Sequence, residues 1–281
     1  MNTQPSFDVY SIFFLLGAAQ AAFLAVALLI IKHGNRIANR FLVAFLMALS
    51  ILLLTVVAYH TKYILIYPHL IRIEAPLIFV YGPLFFLYIK ALASKRFVFE
   101  KRYLLHFVPV VIYAGYLFPF YVQNEADKIN YWTASHTHNL PLHMQVEAAL
   151  GIGHLLAYVI LAVGLLVKHK WTIKESFSSI EKINLAWIRN LLIGLGVIWA
   201  GYFVTYSFEV DWLIHIVALL IVGMIYYMGF KGLIQPEIFT ADEERQPASK
   251  YAKSALTPDK AEAYLEKLLR LMETEKPFTD S

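Results

Sequence analysis

The sequence contains no cysteine and few charged side chains. None of its 281 residues is cysteine, and Asp, Glu, Lys and Arg together make up only 16% of the chain. Without thiols the protein has no disulfide, no cysteine nucleophile and no thiolate metal site. Soluble domains carry about 25% charged residues, so the shortage of charge excludes a simple soluble enzyme.

Apolar residues take the place of the missing charge. They make up 59% of the chain, and the mean hydropathy is +0.58. A helix of roughly 20 apolar residues crosses the hydrocarbon core of a bilayer, where no backbone polar group can stay unpaired. Seven segments reach this length: 7–31, 41–59, 73–93, 103–122, 144–167, 190–207 and 212–230. The sequence therefore predicts an all-α, polytopic membrane protein with seven transmembrane helices.

The distribution of Lys and Arg predicts how these helices are oriented. The connections after the first, third and fifth segments contain twelve Lys and Arg, whereas the other connections and the amino end contain three. Cytoplasmic loops carry the excess of positive charge in membrane proteins. We therefore expect the amino terminus outside and the carboxyl terminus in the cytoplasm. This placement also explains the net charge of +4, which gives no separate indication of nucleic-acid binding.

The composition changes after the last apolar segment, so we expect three regions: a transmembrane domain at 1–230, a cytoplasmic linker at 231–256 and an amphipathic helix at 257–276. Thr257 suits the N-cap and Pro258 the first position of this helix. Its apolar residues recur every three or four positions: Ala261, Tyr264, Leu265, Leu268, Leu271 and Met272. One amphipathic helix cannot bury its own apolar face, so this one requires a partner.

Four stretches carry a resemblance to a known family: APLIFVYGPLFFLYIKAL, LLHFVPVVIY, FSSIEKINLAWIRNLLIG and KYAKSALTPDKAEAYLEKLLRLMETEKPFTDS. Together they resemble the membrane-bound AraC-type transcriptional regulators of bacteria, which join a multi-span region to a cytoplasmic helix-turn-helix domain. In that family a segment like the last one immediately precedes the DNA-binding domain. The 281 residues contain no stretch that matches this domain, so no DNA-contacting residue is carried over.

The resemblance implies a multi-pass sensor in the bacterial inner membrane, without enzymatic activity or cofactor, that passes a signal through its helices to a DNA-binding domain. Its expected partners are the lipid bilayer, an unidentified small or membrane-soluble signal, and DNA through the output domain alone. The final helix is a candidate for homodimer formation through Tyr264, Leu268 and Leu271.

Ionisable residues inside the predicted spans are candidates for ligand binding, because such groups are costly at membrane depth. With the expected orientation, five of them lie in the outer half: Glu74, Glu147, His154, Asp211 and His215. If their helix faces converge, they line an outward-facing polar cavity that binds a cationic or hydrogen-bonding ligand. The alternative is that those near span ends are ordinary interfacial residues and that His154 makes a helix-packing hydrogen bond.

The outer connection at 123–143 contains three histidines, His136, His138 and His143, which suggest a zinc or copper site. Their spacing fits no fixed motif, so we interpret the segment as a flexible loop and predict no metal site. Gly151 and Gly153 in the fifth span, and Gly194, Gly196 and Gly201 in the sixth, predict close approaches between helices.

Three other functional classes remain open on the sequence. A seven-span zinc hydrolase needs three histidines around a metal-bound water, but four residues after His215 comes Leu219 instead of a second histidine. A sensor attached to a kinase would share the membrane part and differ only in its output. A transporter is the third class, although the chain shows no inverted repeat.

Overall fold

The structure is a computed structural model that describes residues 5–30, 35–94, 97–135, 142–176, 186–208, 210, 212–233 and 258–274. The chain divides into two compact units, Met1–Ile238 and Phe239–Ser281, which we describe separately. Every regular element in these ranges is helical.

The first unit contains eight α-helices within its described residues. In chain order they are α1 (Val9–Ile30), α2 (Arg36–His60), α3 (Ile78–Ala93), α4 (Val108–Tyr121), α5 (Glu125–Ser135), α6 (Leu142–Ser176), α7 (Ala186–Phe208) and α8 (Leu213–Leu233). Short 3₁₀ helices occupy Tyr63–Leu65, Pro68–Leu70, Ala75–Leu77 and Lys101–Phe107. Apart from α5, each α-helix forms all or part of a segment long and apolar enough to cross a membrane, which makes seven such segments. The prediction of an all-helical fold with seven helices long and apolar enough to cross a membrane is confirmed within the described residues.

The third and fourth predicted spans differ from the structure at their amino ends. Each begins with 3₁₀ turns, and regular α-helix starts only at Ile78 and Val108. Pro76 lies in the first turn of the 3₁₀ helix Ala75–Leu77, and Pro109 lies in the first turn of α4. Proline suits a first turn because that turn leaves its backbone N–H groups without partners inside the helix.

A helix, α5, occupies part of the connection that we expected to be a flexible loop. Asn124 caps it, because its Oδ1 accepts a hydrogen bond from the backbone N–H of Asp127 at 2.9 Å. Glu125 and Asp127 in the first turn also interact favourably with the helix dipole. The loop prediction was therefore wrong over Glu125–Ser135. The local signal was an asparagine followed three residues later by an aspartate.

The apolar core lies mainly among α1, α2, α3 and α8. Leu24, Leu46, Leu53, Tyr88 and Ile225 are almost completely buried there. A side-chain hydrogen bond also joins two of these helices, since Oγ of Ser50 in α2 donates to the carbonyl of Ala18 in α1 at 2.9 Å. By contrast, α4 has one buried residue, Leu117. This helix therefore depends less on apolar packing within the chain.

Two of the five glycines predicted to allow close helix approach do so. A Cβ atom at Gly201 would lie 2.5 Å from Val217 Cγ2, and one at Gly151 would overlap the side chain of Ile78. Gly153 and Gly196 face open space, and Gly194 has only an ordinary contact, with Met224. Sequence alone did not separate these cases, because helix composition does not show which face meets a neighbour.

The second unit contains α9 (Pro258–Thr274), close to the helix predicted at 257–276. Its apolar residues are exposed, including Tyr264, Leu268 and Leu271. The proposed role of these three residues in a homodimer stays a prediction.

Candidate functional site

Arg72 lies at the centre of a polar network between the 3₁₀ helices Pro68–Leu70 and Ala75–Leu77. Its backbone is left-handed, with φ of 65°, which is unusual for a residue other than glycine. Two tyrosines hold this conformation. The hydroxyl of Tyr59 accepts a hydrogen bond from the Arg72 backbone N–H at 2.9 Å, and that of Tyr121 donates to its carbonyl at 2.9 Å.

The guanidinium of Arg72 contacts three further helices. It forms an ion pair with Glu147 of α6 and donates hydrogen bonds to the hydroxyls of Tyr131 in α5 and Tyr113 in α4, the latter at 2.8 Å. Tyr113 in turn donates to Oε2 of Glu147 at 2.8 Å. The rings of Phe120 and Tyr131 lie 5.9 and 5.5 Å from the guanidinium carbon, within the range of a cation–π interaction.

Glu74 lies two residues after Arg72, and its carboxyl is close enough to the Tyr59 hydroxyl and to Arg72 to interact electrostatically with both. We refer to the following residues as the Arg72 network: Tyr59, Arg72, Glu74, Tyr113, Tyr121, Tyr131 and Glu147. They come from five parts of the chain: α2, the connection between α2 and α3, α4, α5 and α6. The network therefore connects α2, α4, α5 and α6 at the point where the third apolar segment begins.

The network leaves two carboxylate oxygens without hydrogen-bond partners. Oε1 of Glu147 and Oε2 of Glu74 are both buried, and neither has a partner among the described residues. The side chains of Arg72 and Glu147 are each 13% exposed to solvent. A carboxylate oxygen is a strong hydrogen-bond acceptor, and leaving it buried and unpaired costs free energy. The network thus has unused capacity for a hydrogen-bond donor.

A buried lysine attaches α5 to this network. Lys128 is only 1% exposed, and its Nζ lies 2.8 Å from both Nδ1 of His69 and the carbonyl oxygen of Tyr121. The ring of Phe120 lies 5.8 Å from Nζ. On the same helix, burial raises the pKa of the Tyr131 hydroxyl above its usual value. Helix α5 therefore covers the network and contributes Tyr131 to it.

His154 lies beside the network but makes no hydrogen bond to it. Both of its ring nitrogens are buried without a hydrogen-bond partner among the described residues. Its ring packs against Phe79 at 5.1 Å and Tyr158 at 4.8 Å, and Phe79 in turn packs against Tyr113 of the network at 5.1 Å. One aromatic ring thus separates His154 from the Arg72 network.

His215 belongs to a different group of residues at the start of α8. Its ring lies 4.9 Å from that of His60 and 4.6 Å from that of Tyr10. Nε2 of His60 lies 2.8 Å from Oδ2 of Asp8, and Ser11 donates two hydrogen bonds to the other oxygen of Asp8. The hydrogen bond with His60 lowers the pKa of the Asp8 carboxyl below its usual value.

The structure describes four of the five predicted site residues and places them apart. Glu147 pairs with Arg72, Glu74 lies two residues after Arg72, His154 lies one ring away from the network, and His215 lies with His60. Asp211 lies outside the described residues, as do His136 and His138 of the proposed histidine site. No group of three or more His, Asp or Glu arranged to hold a metal ion occurs in the described part of the chain.

Sequence reasoning missed the residue that organises the site. From the sequence, Arg72 was counted only among the three Lys and Arg residues of the outer connections. Tyr113, Tyr131 and Lys128 were not considered as site residues. One signal was available, because an arginine two positions before a glutamate at the start of an apolar span is itself an ionisable residue close to the membrane. The tyrosines carry no such signal, since tyrosine is common near span ends.

Comparison of this chain with protein-family models, with curated proteins and with solved structures found no match.

Proposed function

We propose that the helices of the first unit are the signal-receiving part of a bacterial inner-membrane transcriptional regulator, and that the Arg72 network is the receptor site. In this proposal the amino terminus lies outside, the carboxyl terminus lies in the cytoplasm, and α9 connects the spans to a DNA-binding domain. The four stretches that resemble the membrane-bound AraC-type regulators support the transcriptional output.

One observation carries the proposal of a receptor site: the ion pair between Arg72 and Glu147, which are 75 residues apart, within a group of apolar helices. Charged residues at membrane depth are costly and commonly mark functional sites. An apolar pair of similar volume holds helices together without this cost, so packing alone does not require the charges.

The network also has the connectivity that a switch requires. It joins four α-helices through hydrogen bonds to a single arginine, so a ligand that changes one bond alters the relative stability of two helix arrangements. The unpaired oxygens of Glu74 and Glu147 are the positions where a hydrogen bond from such a ligand stabilises the complex most.

The proposed function is tested by a matched pair of tyrosine variants of the complete gene in its own cells. Tyr113→Phe removes one hydroxyl from the network and leaves the ion pair in place. Tyr116→Phe is the control, because Tyr116 stacks on Tyr113 at 6.0 Å and its hydroxyl makes no hydrogen bond among the described residues. We expect Tyr113→Phe to change a defined set of transcripts by about fivefold, since a hydrogen bond contributes roughly 1 kcal/mol.

The control should leave the same transcripts unchanged. If deleting the gene alters no transcript, or if the two variants behave alike, the proposed function is contradicted. Comparing the variants with the deletion also shows which of the two helix arrangements activates transcription.

The orientation is tested with single cysteines, since the natural chain has none. Tyr67 and Lys260 are both exposed and suit this purpose. In intact cells, an impermeant thiol reagent should label Tyr67→Cys and should reach Lys260→Cys only after lysis. Labelling of Lys260→Cys in intact cells would contradict a cytoplasmic α9.

A further inference from the structure

The buried contact between Lys128 and His69 determines the charge that His69 carries. The Lys128 side chain is 1% exposed, and its Nζ lies 2.8 Å from Nδ1 of His69 and 2.8 Å from the carbonyl oxygen of Tyr121. A lysine ammonium group only donates hydrogen bonds, so Nδ1 must be the acceptor. An acceptor nitrogen exists only on a neutral imidazole, whose proton then lies on Nε2. The contact therefore requires His69 to be neutral.

His69 is open to protons from solvent, unlike the lysine that it contacts. Its side chain is 61% exposed. Histidine side chains commonly change charge between about pH 5 and pH 8. Protonation puts a hydrogen on each ring nitrogen, so neither nitrogen accepts. Nδ1 then loses the hydrogen bond from Lys128, and two positive charges face each other at hydrogen-bond distance.

The acidic residues of α5 do not balance these two charges. Oε1 of Glu125 lies 3.7 Å from Nε2 of His69, but the Glu125 side chain is 66% exposed, and ion pairs between exposed side chains are weak. The Asp127 carboxylate instead accepts a hydrogen bond from Nδ2 of Asn124 at 2.9 Å. The buried ammonium of Lys128 therefore dominates the electrostatics at Nδ1.

The other neighbouring elements do not supply a compensating charge either. Arg72 follows His69 by three residues and is itself a cation. The adjoining 3₁₀ helix contributes Tyr63 and the end of α4 contributes Tyr121. Tyrosine hydroxyls titrate near pH 10 and stay neutral where histidine changes charge. The contact between His69 and Lys128 is thus stable at high pH and is lost as the pH falls.

Loss of this contact affects the Arg72 network through Tyr131. Residues three apart share one helix face, so Lys128 and Tyr131 attach the same face of α5. The Tyr131 hydroxyl accepts a hydrogen bond from the Arg72 guanidinium, and the Tyr131 ring lies 5.5 Å from the guanidinium carbon. Without His69, the Lys128 ammonium keeps a single acceptor among the described residues, the Tyr121 carbonyl. A buried charge that loses a partner destabilises the arrangement that buries it.

We propose that His69 is a pH-sensitive latch for α5. At neutral and higher pH, Nδ1 of His69 accepts from Lys128 and holds α5 against the Arg72 network. A solvent proton that binds Nδ1 breaks this hydrogen bond and releases α5, so that Arg72 loses the hydroxyl and the ring of Tyr131. This inference goes beyond the proposed function, because the release of α5 needs neither a ligand nor a transcriptional output.

The experiment measures hydrogen exchange of the purified full chain in lipid nanodiscs between pH 8 and pH 5. Each rate is divided by the rate of an unstructured peptide of the same sequence at the same pH, which gives the protection of each helix. We expect the protection of Glu125–Ser135 to fall at least about tenfold at pH 5, because losing a hydrogen bond to a charged group corresponds to a factor of this size. The apolar interiors of α1 and α2 should stay protected.

Two substitutions of His69 separate its acceptor from its proton. His69→Asn places an amide oxygen at the same number of bonds from Cβ as Nδ1, and this acceptor does not titrate, so α5 should keep its pH 8 protection at pH 5. His69→Ala removes the acceptor and should leave α5 weakly protected at both pH values. His60→Asn is the control, because His60 contacts Asp8 outside the network, and it should retain the fall in protection.

Four results would overturn the latch: unchanged protection of α5 between pH 8 and pH 5, a fall that persists in His69→Asn, full protection of α5 in His69→Ala at pH 8, or loss of the fall in His60→Asn. Hydrogen exchange of the purified protein does not depend on transcription. The latch can therefore fail while Tyr113→Phe still changes transcripts, and the receptor function can fail while α5 still responds to pH.

Discussion

Two parts of the helical unit are held together by different forces. Helices α1, α2 and α8 pack through apolar side chains and close approaches at glycine, such as Gly229 against Leu24 and Gly232 against Leu42. Around α4 and α5, apolar burial is sparse, and Leu117 is the one buried residue of α4. There the helices meet through the hydrogen bonds and ion pair of Arg72.

This difference makes the second part the more suitable place for the receptor site of the proposed function. Apolar packing is insensitive to a polar ligand, whereas a network with open acceptors changes its energy when a donor arrives. The following predictions test this contrast, beginning with the largest expected effect.

Replacing Arg72 by alanine should destabilise the unit most. The change leaves the carboxylate of Glu147 buried without its cation, which costs about 3–5 kcal/mol in comparable buried pairs. The apparent melting temperature in nanodiscs should fall sharply. Arg102→Ala is the control, because Arg102 is exposed and contacts Glu100 two residues away.

A double variant separates the buried charge from lost packing. Arg72→Ala together with Glu147→Ala should regain part of the stability, because neither charge is then left alone. Additive losses in the double variant would show that the two side chains do not act as a pair.

Replacing Gly229 by alanine should destabilise the apolar part by an intermediate amount. The new Cβ would overlap the side chain of Leu24, which is 3% exposed, and overpacking of this kind costs about 1–3 kcal/mol. Gly223 in the same helix faces open space, so Gly223→Ala is the matched control and should not lower the melting temperature. An equal loss in both variants would contradict the packing explanation, because a Cβ at Gly223 meets no neighbour and alanine favours the helix over glycine.

Removing the cap of α5 should have the smallest effect. Asn124→Ala deletes the side-chain acceptor for the backbone N–H of Asp127, and loss of an N-cap costs about 1 kcal/mol. Hydrogen exchange should become faster in the first turn of α5 while α1 and α2 stay protected. Lys128 still anchors the helix, so unchanged exchange would mean that the lysine alone determines its stability.

Local patterns predicted the helices with few errors. Seven apolar segments of sufficient length identify the seven helices that are long and apolar enough to cross a membrane, because hydropathy over about 20 residues reflects the thickness of the bilayer. The same patterns identified the helix at Pro258–Thr274 through its proline and its spacing of apolar residues. They failed at α5, whose polar composition resembles a loop and whose stability includes long-range contacts of Lys128 and Tyr131.

The sequence by itself determined that this chain forms apolar helices, because the hydropathy of about 20 consecutive residues is a local property that requires no knowledge of tertiary contacts. It also showed that Glu74 and Glu147 are unusual. Only the tertiary structure decided that Glu147 pairs with Arg72 and that His215 lies with His60 instead. Partners 75 residues apart meet through the packing of α3, α4 and α6, and no local pattern records which helix faces come together.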